Sequence, residues 1–267
     1  MNRVPAVAGR FYDSDPERLS QQVAGFSIEV PEKARALGVV VPHAGLMYSG
    51  SVAGKVYSSI TPPDTFLLIG PNHTGLGTRI SIMEQGSWES PTGTLMIDSE
   101  LAIDMMGRFS GLESDTEAHM IEHSLEVQLP FIVHHSPEAR IVPIAILEAS
   151  LETLLDLGRA IAESISSSPG SITIAASSDM SHFIPDALAR KKDRMAIDRI
   201  LALDPEGLLN VVRAENITMC GVLPTVTMLS AALALGATKA ELLQYTTSAE
   251  VSGETESVVG YAGLVIT

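Results

Sequence analysis

Three short apolar runs in this chain each lead into a histidine. Val39-Val40-Val41 runs into Pro42-His43-Ala44-Gly45, and Phe66-Leu67-Leu68-Ile69 runs into Gly70-Pro71-Asn72-His73. Ile172-Thr173-Ile174-Ala175-Ala176 runs into Ser177-Ser178-Asp179-Met180-Ser181-His182. Such runs read as strands buried on both faces, and the carboxyl edge of an open α/β sheet is where ligands bind. Small residues and prolines around each histidine suit turns that aim a side chain into a crevice. One strand-end histidine is more often a packed or hydrogen-bonded residue than a ligand, but three of the seven histidines share this position. Cys220, the sole cysteine, is a fourth candidate: it precedes a helix expected from Pro224, and a helix N-terminus favours the reactive thiolate. Two imidazoles and a thiolate bind zinc, copper or iron and leave positions open for substrate.

A second pattern competes. His119-Met120-Ile121-Glu122-His123 matches the H-x-x-E-H arrangement of a zinc peptidase family, with Glu122 as general base. That chemistry needs both histidines on one helical face and a third carboxylate ligand downstream, which the sequence does not identify. Three fixed positions in five residues also recur by chance, so the strand-end cluster ranks above it. The stretch Gly70 to Gly77 is glycine-rich but has neither dinucleotide-binding nor P-loop spacing.

The elements that must position these residues follow from hydrophobic pattern. Buried strands are expected at Leu37–Val41, Thr65–Ile69, Arg140–Leu147, Ser171–Ala176, Glu241–Thr246 and Val258–Ile266. Helical spacing marks Ser99–Phe109, Ser124–His134, Leu151–Ile165, Pro185–Leu203, Pro205–Ala214 and Pro224–Leu235, three of them opened by proline. Alternation of strands and helices predicts one α/β domain over residues 1–267, a mostly parallel sheet sandwiched by helices. Arg79–Ile97, with Gly86, Pro91 and Gly93, reads as an antiparallel excursion.

Composition bounds the partners. Lys+Arg total 17 against 32 Asp+Glu, a net charge of −15, which repels nucleic-acid backbones and anionic membranes. Hydrophobic residues at 45% exclude disorder, and a single cysteine forbids an internal disulfide and suggests the cytoplasm. The most apolar stretch, Val222 to Gly236, is interrupted by Pro224, Thr225, Thr227 and Ser230 and reads as a buried helix rather than a membrane span.

The chain as a whole resembles the Memo family. The blocks that carry the resemblance are Arg3-Val4-Pro5-Ala6-Val7-Ala8-Gly9-Arg10-Phe11-Tyr12, Pro42-His43-Ala44-Gly45 with Tyr48-Ser49-Gly50, and Gly70-Pro71-Asn72-His73. They continue through Glu122-His123-Ser124-Leu125-Glu126-Val127-Gln128-Leu129-Pro130-Phe131, Ser178-Asp179-Met180-Ser181-His182, Cys220-Gly221 and Gly260-Tyr261-Ala262-Gly263. The resemblance implies the α/β fold of class III extradiol dioxygenases, in which two histidines and a glutamate hold non-haem iron(II) and another histidine is the acid–base catalyst. Carried onto this chain, the ligands are His43, His73 and, in place of the glutamate, Cys220, with His182 as acid–base residue and Asp179 beside it to orient it. The resemblance favours His123 over His119 as a recurrent residue. Tyr48, Asn72, Glu122 and His123 are expected to line the pocket. The resemblance implies iron(II) as the divalent metal, while exchanging a carboxylate for sulfur softens the site and favours zinc or copper, which are the alternatives.

The leading expectation is a metal-dependent, dioxygenase-like enzyme acting on an unidentified small molecule. The alternative is a non-catalytic module that keeps the pocket to bind a peptide or metabolite, as the signalling role of eukaryotic relatives suggests. A functional association with a radical SAM protein follows by family analogy.

Overall fold

The computed structural model describes all 267 residues. Four strands buried along their whole length or nearly so make a parallel core: β2 (Gly38–Val41), β3 (Thr65–Pro71), β8 (Arg140–Ile146) and β9 (Ile172–Ser177), in the spatial order β2-β9-β3-β8. Their pairing places Val41 beside Ser177, Ile69 beside Ala176 and Pro71 beside Ile146, so their carboxyl ends form one edge. Antiparallel strands extend both sides. β4 (Ile80–Ile82) pairs with β8 and carries β7 (Glu113–Ser114), while β12 (Val258–Ile266) pairs with β2 and carries β10 (His182–Ile184) and β11 (Ala240–Thr247). The expected excursion is present: β5 (Ser87–Ser90) and β6 (Gly93–Met96) form an antiparallel pair, and β1 (Asn2–Arg3) joins β5 in parallel.

Helices cover both faces. On one lie α3 (Ser99–Arg108), α6 (Leu151–Ser167), α7 (Asp186–Leu201), α8 (Pro205–Ala214) and α9 (Val222–Ala234), closing a core of 36 buried residues. On the other lie α1 (Pro16–Phe26), α2 (Leu46–Ser59) and α5 (Leu129–His135), over a core of 27. Short helices α4 (Glu117–Met120) and α10 (Ala249–Ser252) sit in connections. The apolar stretch from Val222 is the buried helix α9, and no helix is long and apolar enough to cross a membrane.

Three expectations are corrected, the first being that Glu241–Thr246 is buried: β11 pairs with β12 alone, Glu241 is exposed and residues 242–245 are only half-buried. The helix expected from Ser124 begins at Leu129, after a 3-10 turn at Glu126–Gln128, because Pro130 has no N–H to give the carbonyl one turn back. Two helices had no clear signal, α1 and α2. The second is rich in glycine and serine, and its Gly50 and Gly54 lie where a Cβ would strike Phe26, so close packing of α1 and α2 selects poor helix formers. Of the three helices expected to open on proline, α8 alone has it in the first helical position; Pro185 is the residue before α7, and α9 starts two residues ahead of Pro224.

The loop from His119 to Glu126 is tied to the N-terminal segment by a buried ion pair. Arg3 Nη1 meets Glu126 Oε2 at 2.7 Å with both side chains fully buried, and the guanidinium lies over the Trp88 ring at 4.3 Å. Arg3 also donates to the carbonyls of His119 (2.6 Å) and Glu122 (2.7 Å). Glu126 accepts from the amides of Ala6 and Val7 and from the Tyr12 hydroxyl at 2.6 Å. His119 is buried against Trp88, ring centroids 5.7 Å apart, and burial pushes its imidazole pKa down to about 4.

Two outcomes follow. Arg3→Met leaves Glu126 as an uncompensated buried charge and should cost about 3–5 kcal/mol in urea unfolding; a loss under about 1 kcal/mol would contradict this. His119 refuses in the fold a proton that the unfolded chain takes up. Its stabilisation is therefore complete above pH 6.5 and lost as pH falls towards 4, on the order of 3 kcal/mol in all. Unfolding of His119→Gln between pH 7 and pH 4 should show a correspondingly shallower acid loss than wild type, and an identical loss would refute the assignment.

Candidate metal centre

The carboxyl edge of the parallel core brings His43 and His73 together, and the loop after α4 adds His123. One nitrogen from each can be chosen so that all three lie within 4.8 Å of one another, and this group could hold a metal ion. The His73 and His123 rings stack at 4.8 Å, while His43 meets each edge-on at 5.4 Å. His43 is 1% exposed, whereas the His73 side chain is 35% exposed, so the group opens to solvent on that side.

Hydrogen bonding sets which nitrogen of His43 and of His73 carries the proton. Ser177 Oγ gives its proton to the Ser124 carbonyl at 2.7 Å and accepts from Gln128 Nε2 at 2.9 Å. Gln128 is itself oriented by the Tyr57 hydroxyl on its Oε1 and by its own donation to the Pro42 carbonyl. The remaining capacity of Ser177 Oγ is as an acceptor, so His43 Nδ1, 2.9 Å away, carries the proton and Nε2 keeps its lone pair. Glu122 does the same for His73: its Oε1 lies 2.9 Å from His73 Nδ1, which leaves that ring's Nε2 free, and the same oxygen is a charge neighbour of His123 Nδ1 at 3.5 Å. A carboxylate behind an imidazole is the usual support of a metal-ligating histidine.

Electrostatics keep these lone pairs available. Burial, then the charges His123, His73 and His182 would carry, hold the His43 pKa well below the ordinary imidazole value. Burial also lowers the His123 pKa, helped by His73 and Arg10 and opposed by Glu122 and Glu126. Glu122 is held down to about 2: burial works against its charge, but the His73 hydrogen bond and the Ser124 amide outweigh it.

The other expected residues take distinct places. Cys220 Sγ lies 3.3 Å from His43 Nε2 and accepts from the Asp179 amide at 3.3 Å, at the edge of the imidazole group. Burial and the Asp179 charge push its thiol pKa up, so a neighbouring helix end does not by itself make it a thiolate. Gly221 permits the approach, since a Cβ there would strike the Ser177 carbonyl and the Ser178 side chain. Asp179 is 4% exposed, accepts from the amides of His43 (2.8 Å) and Ala44 (3.3 Å), and has its pKa raised to about 6 by burial. It therefore holds the loop after β2. The orientation of His182, expected from Asp179, comes instead from Thr218, whose hydroxyl takes the His182 amide (2.7 Å) and whose carbonyl takes Nδ1 (2.9 Å). That bond leaves His182 Nε2 as a proton acceptor.

Asn72 spends its carboxamide on its own loop, accepting from Thr74 and Gly75 and donating to the Leu76 carbonyl. Tyr48 lines an adjoining cleft with Phe11 and Gly45. His119 stays with Trp88 and does not join the group, and residues 119–123 do not share one helix, α4 ending at Met120. The H-x-x-E-H spacing thus does not bring its two histidines to one site, and Glu122, bound to His73 and the Ser124 amide, is committed elsewhere. His123, expected in the pocket lining, stands in the imidazole group itself, whereas Ser177, Gln128 and Thr218, which hold His43 and His182, had no place in the sequence reading. A serine or glutamine inside an apolar run was the one available hint.

Known proteins agree with this architecture. A family model described as Memo-like protein matches residues 3–265. The MEMO1 family protein MTH_45 of Methanothermobacter thermautotrophicus is 42% identical over 99% of this chain and 100% of its own length. A MEMO1 family protein of Methanopyrus kandleri is 40% identical over 99% of both chains, and one of Aquifex aeolicus is 41% identical over 98% of both. Among solved structures, the uncharacterized protein JW3007 of Escherichia coli K12 shares the fold, with a TM-score of 0.54 at 14% identity over 85% of this chain and 98% of that one. With a family model and close relatives matching nearly end to end, this chain belongs to the Memo family.

Proposed function

We propose that the protein is a metal-dependent, dioxygenase-type oxidoreductase that binds one divalent ion through His43, His73 and His123. The observation that carries this is the set of three imidazoles with one nitrogen of each within 4.8 Å of the others, Nδ1 of His43 and of His73 being committed to hydrogen bonds behind the group. Imidazole suits iron(II), zinc and copper alike, and the Glu122 carboxylate is spent behind the rings, so the donor set is nitrogen-rich. An ion bound there would supply a Lewis-acid or redox centre for a small hydroxylated substrate and molecular oxygen.

The chain's own residues supply the rest. Cys220, next to His43 Nε2, is a further donor on the buried side, where a cation would offset the cost of ionising its thiol. His182, with Nδ1 committed to Thr218, presents Nε2 to take a proton from a substrate hydroxyl and return it later. Asp179 holds the loop of His43 in register with β9.

Elemental analysis after anaerobic purification tests the metal. Wild type should carry about one equivalent, and His43→Ala, His73→Ala and His123→Ala should each lose most of it. Glu122→Gln should weaken affinity by about 10- to 100-fold. Metal content unchanged in His73→Ala and His123→Ala would reject the centre. Oxygen uptake by the iron(II)-loaded protein on a panel of catechols tests turnover. His182→Asn should cut any rate by about 10²- to 10⁴-fold while metal content stays constant. No uptake on any member of the panel would favour the binding-module alternative.

A further inference from the structure

A cleft of about 550 Å³ adjoins the imidazole group, walled by Phe11, Met47 and Tyr48 and carrying Arg10, Asp13 and Arg18. Phe11 joins the two spaces, its ring lying 4.6 Å from the His123 ring on one side and lining the cleft on the other. The cleft has two guanidinium groups and one carboxylate. Asp13 is committed to Arg18 at 3.2 Å, which leaves Arg10 with neither an ion pair nor a hydrogen bond from its side chain. Arg10 is exposed, and its charge reaches the imidazole group, where it helps to lower the His123 pKa.

The backbone holds Arg10 in place. Gly9, at φ 78°, turns the chain in a conformation that favours glycine, and its amide donates to the Tyr12 carbonyl at 2.7 Å. The amides of Arg10 and Phe11 both donate to the Val7 carbonyl, and the Phe11 carbonyl receives the amide of Leu46 at the start of α2. Val7 and Tyr12 are in turn bound to the buried Glu126. The turn is thus fixed at both ends, and a cation on it is presented with little loss of backbone entropy.

We propose that this cleft is an anion-binding subsite, in which Arg10 pairs with the carboxylate or phosphate of a small organic ligand whose apolar body lies along Phe11, Met47 and Tyr48. As a statement about substrate it rests on the metal-centre proposal, since the other end of the ligand would reach the imidazole group. Aromatic and aliphatic side chains beside a few charged groups are the usual make-up of a small-molecule site, and a guanidinium matches either anion in a forked geometry.

Titration calorimetry with benzoate, phenyl phosphate and neutral benzyl alcohol tests this on the full chain, as purified and after metal loading. At least one anion should bind about fivefold or more tightly than the alcohol, and the preference should shrink with added salt. The tighter of the two anions identifies the group. Arg10→Gln should erase the preference with metal content unchanged, whereas Arg213→Gln, on the distant helix α8, should keep it. Equal binding of anions and alcohol, or a preference that survives Arg10→Gln, would overturn the subsite. The same titration on His73→Ala separates the two proposals: an anion preference that persists when metal binding is lost, or was never there, leaves the cleft standing alone.

Discussion

A fully buried charge is tolerable only when its partners are built around it, and the Arg3–Glu126 pair organises much of the candidate site in this way. Arg3 comes from the first strand and Glu126 from the turn before α5. Between them they engage the carbonyls of His119 and Glu122, the amides of Ala6 and Val7 and the Tyr12 hydroxyl. Each of those contacts satisfies a polar group that would otherwise be stranded. The result is that the loop bearing Glu122 and His123, and the turn bearing Arg10 and Phe11, are held by one network. An apolar pair of similar volume would fill the space but would leave both segments without a fixed register.

The sheet supplies the second constraint. Parallel strands β2, β9 and β3 end together, so residues a few positions past each end converge without any one loop having to be long. Burial at this edge removes water from His43 and Cys220, favouring neutral forms of both. Neutral imidazoles with fixed tautomers repel one another less than imidazolium ions and present lone pairs to a cation. The chain Tyr57–Gln128–Ser177–His43 shows how far this ordering reaches, from the body of α2 to the ring nitrogen.

Much of this was legible before the fold was known. Apolar runs that need no alternation marked the parallel strands, and the polar residues just past them marked the edge where His43 and His73 meet. What stayed hidden has physical reasons. Helix α2 is dictated by the space beside Phe26, which pattern cannot see, and its glycines argue against a helix when taken alone. His123 follows no strand; its loop is held across the sheet edge by Arg3, whose bond to the Glu122 carbonyl joins residues 119 apart in sequence, and by the bonds of Glu122 to His73. The groups that hydrogen-bond His182 were likewise out of sight, because a backbone carbonyl, that of Thr218, carries no signature in a sequence.

Any chemistry at this edge turns on three imidazoles sharing one ion. X-ray absorption at the metal edge of the loaded protein measures that first shell directly. It should show at least three nitrogen scatterers near ~2.0–2.1 Å with the outer-shell pattern of imidazole, and a sulfur near ~2.3 Å if Cys220 joins them. A shell of oxygen atoms without the imidazole pattern would contradict it.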